Sequence, residues 1–345
     1  MSGPVLKDIR PDAPMRTFVE EKRRAVARYG ERFGNDPSAF VVNERCPLCG
    51  AAESVEFGPA AFTRYMRCSE CGLRYLRDEP LLEHRLGLAV ASLAADAAVK
   101  DVQIATYEAR KRKFLPIIER LGAFHPIDEP ARVLDIGSGS GYFLEALRER
   151  TAWQGVGLEP NGEAVAAATR RGLDVRQGDL ASFTPDEPFD IAVCVGVLGH
   201  ISSPAQVAGD CGRMVRDGGI FFARTPNCDG FEMSVLGTAH SYFTPLEGMA
   251  GYTLPSMETF LRIGGFEVLE LSTPGALDLN IVRQHVEVFG CALDAGPFLH
   301  RLIFEDSEEM EAARKDFTRF LAANRMSSLM QAVGRKVPGA GVRGK

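Results

Sequence analysis

The stretch RVLDIGSGSGYF, residues 132–143, determines how the rest of the chain is interpreted. Its apolar first half is typical of a buried strand, and the apolar residues after its glycines have helical spacing. Because Gly137, Gly139 and Gly141 carry no Cβ, a ligand can lie against the main chain between strand and helix. Unpaired N–H groups at the start of the helix add hydrogen-bond donors at that point. The stretch predicts a ligand-binding strand–turn–helix unit.

The glycine spacing differs from that of a dinucleotide-binding turn. The dinucleotide fingerprint is Gly-x-Gly-x-x-Gly, whereas this turn has Gly-x-Gly-x-Gly, with Tyr142 where the third glycine would fall. An acidic residue, Asp135, lies two positions before the first glycine. The turn therefore indicates a different kind of cofactor site.

Downstream of this turn, strand-like runs alternate with helical ones over residues 132–283, which is typical of a parallel α/β sheet. The second run ends at Glu159, eighteen positions after Gly141, and the third ends at Asp179. The fourth run leads to His200. Residues 264–271 and 279–283 are predicted to form a terminal antiparallel pair.

This ordered series resembles the core of class I S-adenosylmethionine-dependent methyltransferases, over roughly residues 105–285. The resemblance implies a seven-stranded, mostly parallel, Rossmann-like sheet with helices on both faces, and S-adenosylmethionine as cofactor. It places the first acidic residue and the glycines along the methionine end of the cofactor, Glu159 at the ribose, and Asp179 with Leu180 at the adenine. The implied cofactor-binding residues are Asp135, Gly137, Ser138, Gly139, Gly141, Glu159, Pro160, Asp179 and Leu180.

Two Cys-x-x-Cys pairs, each followed by a glycine, precede this core, with eighteen residues between the second and third cysteines. This spacing is typical of a four-cysteine zinc ribbon, in which four thiolates complete a tetrahedron and leave no position open for chemistry. A redox pair and a coincidence are the competing interpretations. The predicted ligands of a structural zinc ion are Cys46, Cys49, Cys68 and Cys71. The remaining cysteines are interpreted as small buried apolar residues; they are Cys194, Cys211, Cys228 and Cys291.

Composition narrows the class of protein. The chain of 345 residues carries a formal net charge of −6, which argues against a large nucleic-acid-binding surface. No apolar run is long enough for a membrane span, and the first residues lack the apolar segment of a secretory signal. Paired cysteines without an export signal indicate metal thiolates in a reducing compartment, so a cytoplasmic location is expected.

The candidate catalytic residues are two histidines and a tyrosine. His200 follows the fourth strand, and His240 with Tyr242 lies in the loop after the fifth, where a methyl acceptor is expected. A histidine is a natural general base for an alcohol acceptor; the alternatives are packing beside the cofactor for His200 and loop stabilisation for His240. The related methyltransferases often have Glu-His after strand four, whereas this chain has Gly199 before its histidine. Asn227 is a weaker acceptor-pocket candidate.

A four-cysteine ribbon ahead of such a core resembles methyltransferases of sugar and surface-polysaccharide pathways. The resemblance implies a small-molecule acceptor, a sugar or nucleotide sugar. Two alternatives remain open: an RNA or protein methyltransferase that docks through its ribbon, and a non-catalytic cofactor-binding protein. Within the ribbon, four arginines are matched by four acidic residues between Cys46 and Asp78, which argues against RNA docking.

The chain is accordingly divided into five segments. Helices are expected at about 17–33, within 81–104 and at 106–121, and the apolar stripe of Phe317 and Leu321 in the tail is interpreted as a core or homodimer contact. The basic run at 110–113 is interpreted as a solvated helix face, with docking of a phosphorylated acceptor as the alternative. The segments are a helical N-terminus (1–42), the zinc ribbon (43–80), a helical linker (81–130), the methyltransferase core (131–285) and a helical C-terminal extension (286–345).

Overall fold

The computed structural model describes residues 13–84, 111–275 and 278–339. The helix predicted at 17–33 begins four residues earlier. Residues 85–104 and 106–110 of the next two predicted helices lie outside the described ranges, and the remaining residues of the second, 111–121, are largely helical. The N-terminal elements are helix α1 (Ala13–Phe33) and strands β1 (Phe40–Val42), β2 (Ser54–Ala60), β3 (Thr63–Cys68), β4 (Arg74–Leu76) and β5 (Asp78–Pro80).

The central part of the chain alternates strands and helices as predicted. Its first elements are α2 (Leu115–Gly122), β6 (Arg132–Ile136), α3 (Tyr142–Arg150), β7 (Gln154–Glu159), α4 (Gly162–Thr169), β8 (Val175–Gln177), β9 (Phe189–Val195) and α5 (Pro204–Met214). They are followed by β10 (Val215–Pro226), α6 (Phe231–Leu236), β11 (Ala250–Gly251), α7 (Leu254–Ile263), β12 (Phe266–Ser272), α8 (Asp278–Glu287), α9 (Gly296–Phe304), α10 (Glu308–Ala323) and β13 (Leu329–Lys336).

Seven strands form the main sheet in the order β12-β13-β10-β9-β6-β7-β8. Strands β6 to β10 pair in parallel, and β13 is antiparallel to both β10 and β12. The predicted seven-stranded, mostly parallel sheet is thereby confirmed. The chain moves from β6 outward to β8 and then returns to the other side of β6 as β9. In open parallel sheets such a reversal leaves a crevice at the carboxyl ends of the two strands, where ligands bind.

The seventh strand is not the one predicted. Residues 279–283 were expected to form a strand, but they lie in helix α8. The carboxylate of Asp278, at the start of α8, accepts hydrogen bonds from the Ser327 hydroxyl at 2.7 Å and from the Ser328 N–H at 2.6 Å. These bonds connect α8 to the residues just before β13, and β13 occupies the place in the sheet expected for residues 279–283.

The C-terminal helices pack onto the domain. Helix α10 has the predicted helical spacing: Leu321 is buried, and the ring of Phe317 lies 5.2 Å from that of Phe231 in an edge-on contact. This stripe is a core contact within the chain. Leu329, in the C-terminal extension that was predicted to be helical (286–345), lies in β13 instead. Three of the four unpaired cysteines are buried as predicted, whereas Cys291 is only partly covered.

The ribbon and the main sheet share one apolar core. A single buried cluster contains Leu73 and Tyr75 of the ribbon together with Leu134 of β6 and Phe260 of α7. The ribbon strands β2, β3 and β4 form a second sheet with β11, in the order β11-β4-β3-β2. Residues of the segment predicted as a ribbon (43–80) therefore contribute to the core of the domain, because burial of these side chains joins the two units.

Among the helices of the described residues, none combines the length and the apolar character needed to cross a membrane.

Candidate active site

The glycine turn follows β6 at the crevice. Gly137, Gly139 and Gly141 all have positive φ, at 71°, 53° and 80°, which strains any residue with a Cβ. Their surroundings differ: a Cβ at Gly137 would collide with Val197, and one at Gly141 would lie 2.6 Å from Leu173. Only at Gly139 would a Cβ meet no atom within 4 Å. A ligand was expected to lie against the main chain at all three glycines. Of the three, only Gly139 has free space where its Cβ would be.

Glu159, at the end of β7, is bonded to the glycine turn. One carboxylate oxygen accepts the Gly139 N–H at 2.8 Å, and the other accepts the Asn161 N–H at 2.9 Å. Each carboxylate oxygen can accept a second hydrogen bond. The carboxylate is therefore held in a fixed position, with acceptor capacity left for a pair of hydroxyl groups.

Asp135 is buried near the carboxyl end of β6, with 4% of its surface exposed. Burial raises the pKa of its carboxyl group to about 7, and the negative charge of Glu159 adds to the effect. A cationic group placed beside Asp135 would favour the ionised form and lower this pKa again. The site is suited to an ammonium group.

The other predicted cofactor residues lie around the same edge. The Ser138 hydroxyl is buried beside Gly157 and has no hydrogen-bond partner in the described chain. One Asp179 oxygen accepts the Ser182 N–H at 2.9 Å and the Ser182 hydroxyl at 2.6 Å, and these bonds lower the pKa of its carboxyl group. Leu180 is buried, and Pro160 is exposed beside Glu159.

His200 lies at the end of a short 3-10 turn (Leu198–His200) that follows β9. Its ring is exposed, and its Nδ1 lies 2.9 Å from the main-chain carbonyl oxygen of Glu247. Because a carbonyl oxygen can only accept, Nδ1 must carry the proton of the neutral ring. The lone pair is then on Nε2, which makes this atom a proton acceptor at the carboxyl edge of the sheet.

Residues 240–251, called the covering loop below, pack against this 3-10 turn. The Met249 N–H donates to the Gly199 carbonyl at 2.8 Å, and the Tyr242 hydroxyl donates to the Ala250 carbonyl at 2.8 Å. A Cβ at Gly199 would collide with the phenol oxygen of Tyr242. The tyrosine therefore occupies the space that a glutamate side chain before His200 would need, which gives a physical reason for the glycine.

His240 is placed differently from His200. It is buried, its Nδ1 accepts the Tyr242 N–H at 3.0 Å, and its ring stacks on that of His285 with 4.3 Å between centroids. Burial lowers the pKa of His240 to about 4. Its Nε2 lies 3.5 Å from a carboxylate oxygen of Glu232, a distance too long for a hydrogen bond. The structure thus brings His200 and Tyr242 together and leaves His240 in the loop's interior.

The four cysteines of the two Cys-x-x-Cys units converge. All four sulfur atoms lie within 4.8 Å of one another, with 3.7 Å between Cys46 and Cys71 and 3.5 Å between Cys49 and Cys68. Zinc bound at about 2.3 Å by four sulfurs in a tetrahedron separates them by about 3.8 Å. The hydrogen bond between Cys46 and Cys71 lowers the pKa of the first and raises that of the second, so one thiol of the pair ionises before the other. The geometry and donor set of the four cysteines fit a structural zinc ion.

The ribbon is paired with the covering loop. Strand β4 pairs with β11 in antiparallel register, with Tyr75 opposite Ala250. The Tyr65 hydroxyl donates to the Gly248 carbonyl at 2.6 Å, and the ring of Tyr65 lies 4.9 Å from that of Phe243. The ribbon therefore fixes the loop whose other side contacts the turn that carries His200.

Sequence reasoning missed two features of this edge. One is the pairing of the ribbon with the covering loop, which joins residues far apart in the chain. The other is Arg224, at the carboxyl end of β10, together with its neighbour Gln331 on β13. A charged residue directly after the apolar run Ile220–Ala223 was the available signal, because charge is unusual at the end of a central strand.

Comparison with known proteins finds similarity over the part of the chain that carries this geometry. Residues 107–271 match the family described as "Methyltransferase domain". A protein of Mycolicibacterium smegmatis named "Probable S-adenosylmethionine-dependent methyltransferase" is 35% identical over 98 residues, which cover 28% of this chain and 38% of that protein.

Two further relatives differ in the substrates that their names state. The ubiquinone biosynthesis O-methyltransferase of Aeromonas salmonicida is 32% identical over 119 residues, covering 32% of this chain and 50% of that protein. The trans-aconitate 2-methyltransferase of Mycobacterium tuberculosis is 34% identical over 101 residues, covering 28% of this chain and 36% of that protein. The chain thus spans half or less of the length of these relatives. Residues 107–271 are thus similar to methyltransferase domains, and one of the relatives of this region is named as S-adenosylmethionine-dependent.

Proposed function

We propose that the protein transfers a methyl group from S-adenosylmethionine to a hydroxyl group, or a carbon, of a small polar acceptor such as a sugar or nucleotide sugar. The observation that carries the proposal is the glycine turn of the methyltransferase domain, where the open main chain of Gly139 is bonded to the carboxylate of Glu159. The sugar class is supported by the sequence resemblance alone, through the ribbon ahead of the domain.

The residues at this turn fit the cofactor. Asp135 would face its amino group, and the free acceptor capacity of Glu159 would serve the two ribose hydroxyls. The second oxygen of Asp179 would accept from the adenine amino group, since the first is already bonded to Ser182. When bound, S-adenosylmethionine supplies an electrophilic methyl group on a sulfonium sulfur.

His200 is the proposed general base. Its Nδ1–H is bonded to the Glu247 carbonyl, so Nε2 can take the proton of an acceptor hydroxyl as the oxygen–methyl bond forms and the sulfur–methyl bond breaks. The same bond fixes the orientation of the ring, which favours transfer because reacting groups must be held in register. Tyr242 positions this turn through its contact with Gly199, and His240 stabilises the covering loop from inside.

The ribbon is proposed as a zinc-bound scaffold. Its strand β4 and the hydroxyl of Tyr65 hold the covering loop, which supports a structural role over the docking of RNA or another protein. The proposed location is the cytoplasm, because four thiolates that bind zinc require a reducing compartment.

The test is transfer of a labelled methyl group. Zinc-replete protein and methyl-labelled S-adenosylmethionine are incubated in parallel with small-molecule, RNA and protein fractions of a bacterial lysate. Label in the small-molecule fraction that is lost with Glu159→Ala and kept with Glu163→Ala supports the proposal, since Glu163 is a nearby exposed glutamate. Label in the RNA or protein fraction would contradict the acceptor class. Cofactor binding without label in any fraction would favour a non-catalytic binding protein.

A further inference from the structure

Strand β10 carries an arginine at the carboxyl edge of the sheet. Arg224 is in register with Val195 of β9. Asp135 of β6 is in register with Val193, which is opposite Phe222 of β10. Because alternate residues of a strand share a face, Arg224 is on the same face as Asp135, one step nearer the carboxyl edge. With strands about 4.8 Å apart, roughly 12 Å separates their Cα atoms.

Arg224 has no partner among residues 13–84, 111–275 and 278–339. Its side chain is half-buried, forms no ion pair and makes no hydrogen bond with these residues. Burial lowers the pKa of its guanidinium group, and no neighbouring carboxylate offsets this effect. Buried charges in proteins are usually paired. A half-buried cation without a counter-ion is therefore expected to serve a ligand.

Gln331 lies beside Arg224, and its side chain also has no hydrogen-bond partner among the described residues. The two residues are opposite each other on β10 and β13, so their side chains leave the sheet on the same face, with Cα atoms about 5 Å apart. Gln331 is 8% exposed, and its carboxamide makes no hydrogen bond with the described part of the chain. Neither residue has a side-chain polar atom that is both buried and unpartnered, so the polar groups of both reach solvent. Two adjacent polar side chains that face solvent and not the protein can offer their donors to an external group.

We propose that Arg224 and Gln331 bind an anionic group, a carboxylate or a phosphate, of the methyl acceptor. This inference rests on the proposed function and specifies its acceptor. The guanidinium fork matches two oxygens of either group, and the carboxamide N–H adds a third donor. His200 follows the neighbouring strand β9, so the anionic group and the reacting hydroxyl of one small molecule are held at the same edge. A nucleotide sugar, with its phosphates, meets this requirement.

The position separates this site from the cofactor residues. Asp135, Gly139 and Glu159 lie on or beside β6 and β7, whereas Arg224 is two strands from β6. The carboxylate of the cofactor is nevertheless an anion of the same chemistry. The experiment must therefore distinguish an acceptor anion from the cofactor's own carboxylate.

The test measures binding of three probes to the zinc-replete full chain. Inorganic phosphate is titrated into protein with and without S-adenosylhomocysteine and followed by 31P NMR. S-adenosylhomocysteine and 5′-methylthioadenosine, which lacks the amino-acid portion, are titrated calorimetrically. The variants are Arg224→Met, Arg224→Lys and Gln331→Met. The control is Arg216→Met, which removes an arginine from the opposite end of the same strand, where it pairs with Asp190 at 2.6 Å.

The expected result is that Arg224→Met weakens phosphate binding about tenfold or more, because charge-assisted bonds are lost. Arg224→Lys and Gln331→Met should weaken phosphate binding less. Arg216→Met should bind phosphate as wild type does, and the Arg224 and Gln331 variants should keep the wild-type affinity for S-adenosylhomocysteine. Equal phosphate binding by wild type and Arg224→Met would overturn the proposal, and so would the absence of binding by wild type. If Arg224→Met does not fold, Gln331→Met alone decides, since an unchanged phosphate affinity would overturn the paired site.

Two outcomes separate this inference from the proposed function. A loss of affinity for S-adenosylhomocysteine but not for 5′-methylthioadenosine would assign Arg224 to the cofactor's carboxylate and overturn the acceptor site. If wild type binds neither adenosine compound, the proposed function fails, while the phosphate titration without cofactor still decides whether the anion site exists.

Discussion

The carboxyl edge of the main sheet has two parts that are built in different ways: the part at β6 and β7, where the cofactor is proposed to bind (the cofactor edge), and the part at β9 and β10, where the acceptor is proposed to bind (the acceptor edge). At the cofactor edge, Gly139 and Glu159 lie twenty positions apart and are joined by one hydrogen bond. At the acceptor edge, Tyr65 of the ribbon bonds to Gly248 across 183 positions of the chain. The first edge is assembled within two consecutive strand–helix units, whereas the second requires the ribbon, the covering loop and the turn at His200 to meet.

The two edges therefore differ in how much their geometry depends on distant parts of the chain. A local unit such as β6–α3–β7 can keep its cofactor geometry while the surroundings change, because its contacts depend on few other elements. The acceptor edge depends on elements brought together from distant parts of the chain. We expect a disturbance of the ribbon to affect the acceptor edge before the cofactor edge.

Removal of zinc should give the largest effect. Cys68→Ser breaks the four-sulfur cluster, and structural zinc contributes about 10–16 kcal/mol in small zinc-binding peptides. We expect zinc content to fall and amide hydrogen exchange to accelerate in residues 43–80 and 240–251 before it does in β6–β8. The control is Cys291→Ser, at a cysteine outside the cluster. Equal acceleration in all three regions would remove the distinction between the edges.

Loss of the general base should affect the rate of transfer and not the binding of cofactor. His200→Gln is expected to lower the rate of methyl transfer to the acceptor by about 10²–10⁴-fold, because Nε2 no longer takes the proton. The affinity for S-adenosylhomocysteine should stay within the error of calorimetry, and the pH dependence of the remaining rate should flatten. His300→Gln, at an exposed histidine on α9, is the control. Full activity of His200→Gln would transfer the role of base to another group.

Asp135 should link cofactor binding and stability to pH in opposite directions. Its pKa is raised from 3.8 to about 7, so the folded protein holds a proton that the unfolded chain has released. Its contribution to stability is therefore fully present below about pH 4 and is lost as the pH rises through 7. The affinity for the cofactor's ammonium group should instead rise through pH 7, as the carboxylate ionises.

Asp135→Asn separates these two effects. The variant should bind S-adenosylhomocysteine more weakly at pH 8 and with a flatter pH dependence, and it should lose less stability than wild type between pH 6 and pH 8. Calorimetric titrations and thermal unfolding across this range check both expectations. A wild-type affinity that is constant across pH 7 would show that Asp135 does not face the ammonium group.

The smallest effect is expected at Tyr242. Tyr242→Phe removes the hydrogen bond to the Ala250 carbonyl and keeps the ring against Gly199, so it should destabilise the covering loop by about 1 kcal/mol. Faster hydrogen exchange confined to residues 240–251 is the measurement. A loss of methyl transfer as large as that of His200→Gln would instead give the phenol a role in proton transfer.

The parts of the molecule that sequence could predict are those with local signals. The glycines of the turn, the acidic ends of β7 and β8, and the paired cysteines each depend on spacing within a short stretch. Glu159 is the last residue of its strand, and the turn needs positive φ at Gly139. Such requirements are visible in one segment of the sequence without knowledge of the others.

The parts that could not be predicted depend on distant partners. Residues 279–283 and 329–336 are both apolar enough for a strand, and the choice between them is made by pairing with β10 and β12 and by the bonds of Asp278 to Ser327 and Ser328. The burial of His240 likewise depends on His285, 45 positions later in the chain. Strand formation depends strongly on such context, which a single sequence does not show.

The most direct test of the central claim is a calorimetric titration of S-adenosylhomocysteine into zinc-replete wild type, Glu159→Ala and Glu163→Ala. The account predicts one site per chain in wild type and Glu163→Ala. In Glu159→Ala it predicts an affinity about 100-fold lower, because two charge-assisted hydrogen bonds to the ribose are lost. Equal affinity of Glu159→Ala and wild type, or no binding by wild type, would contradict it.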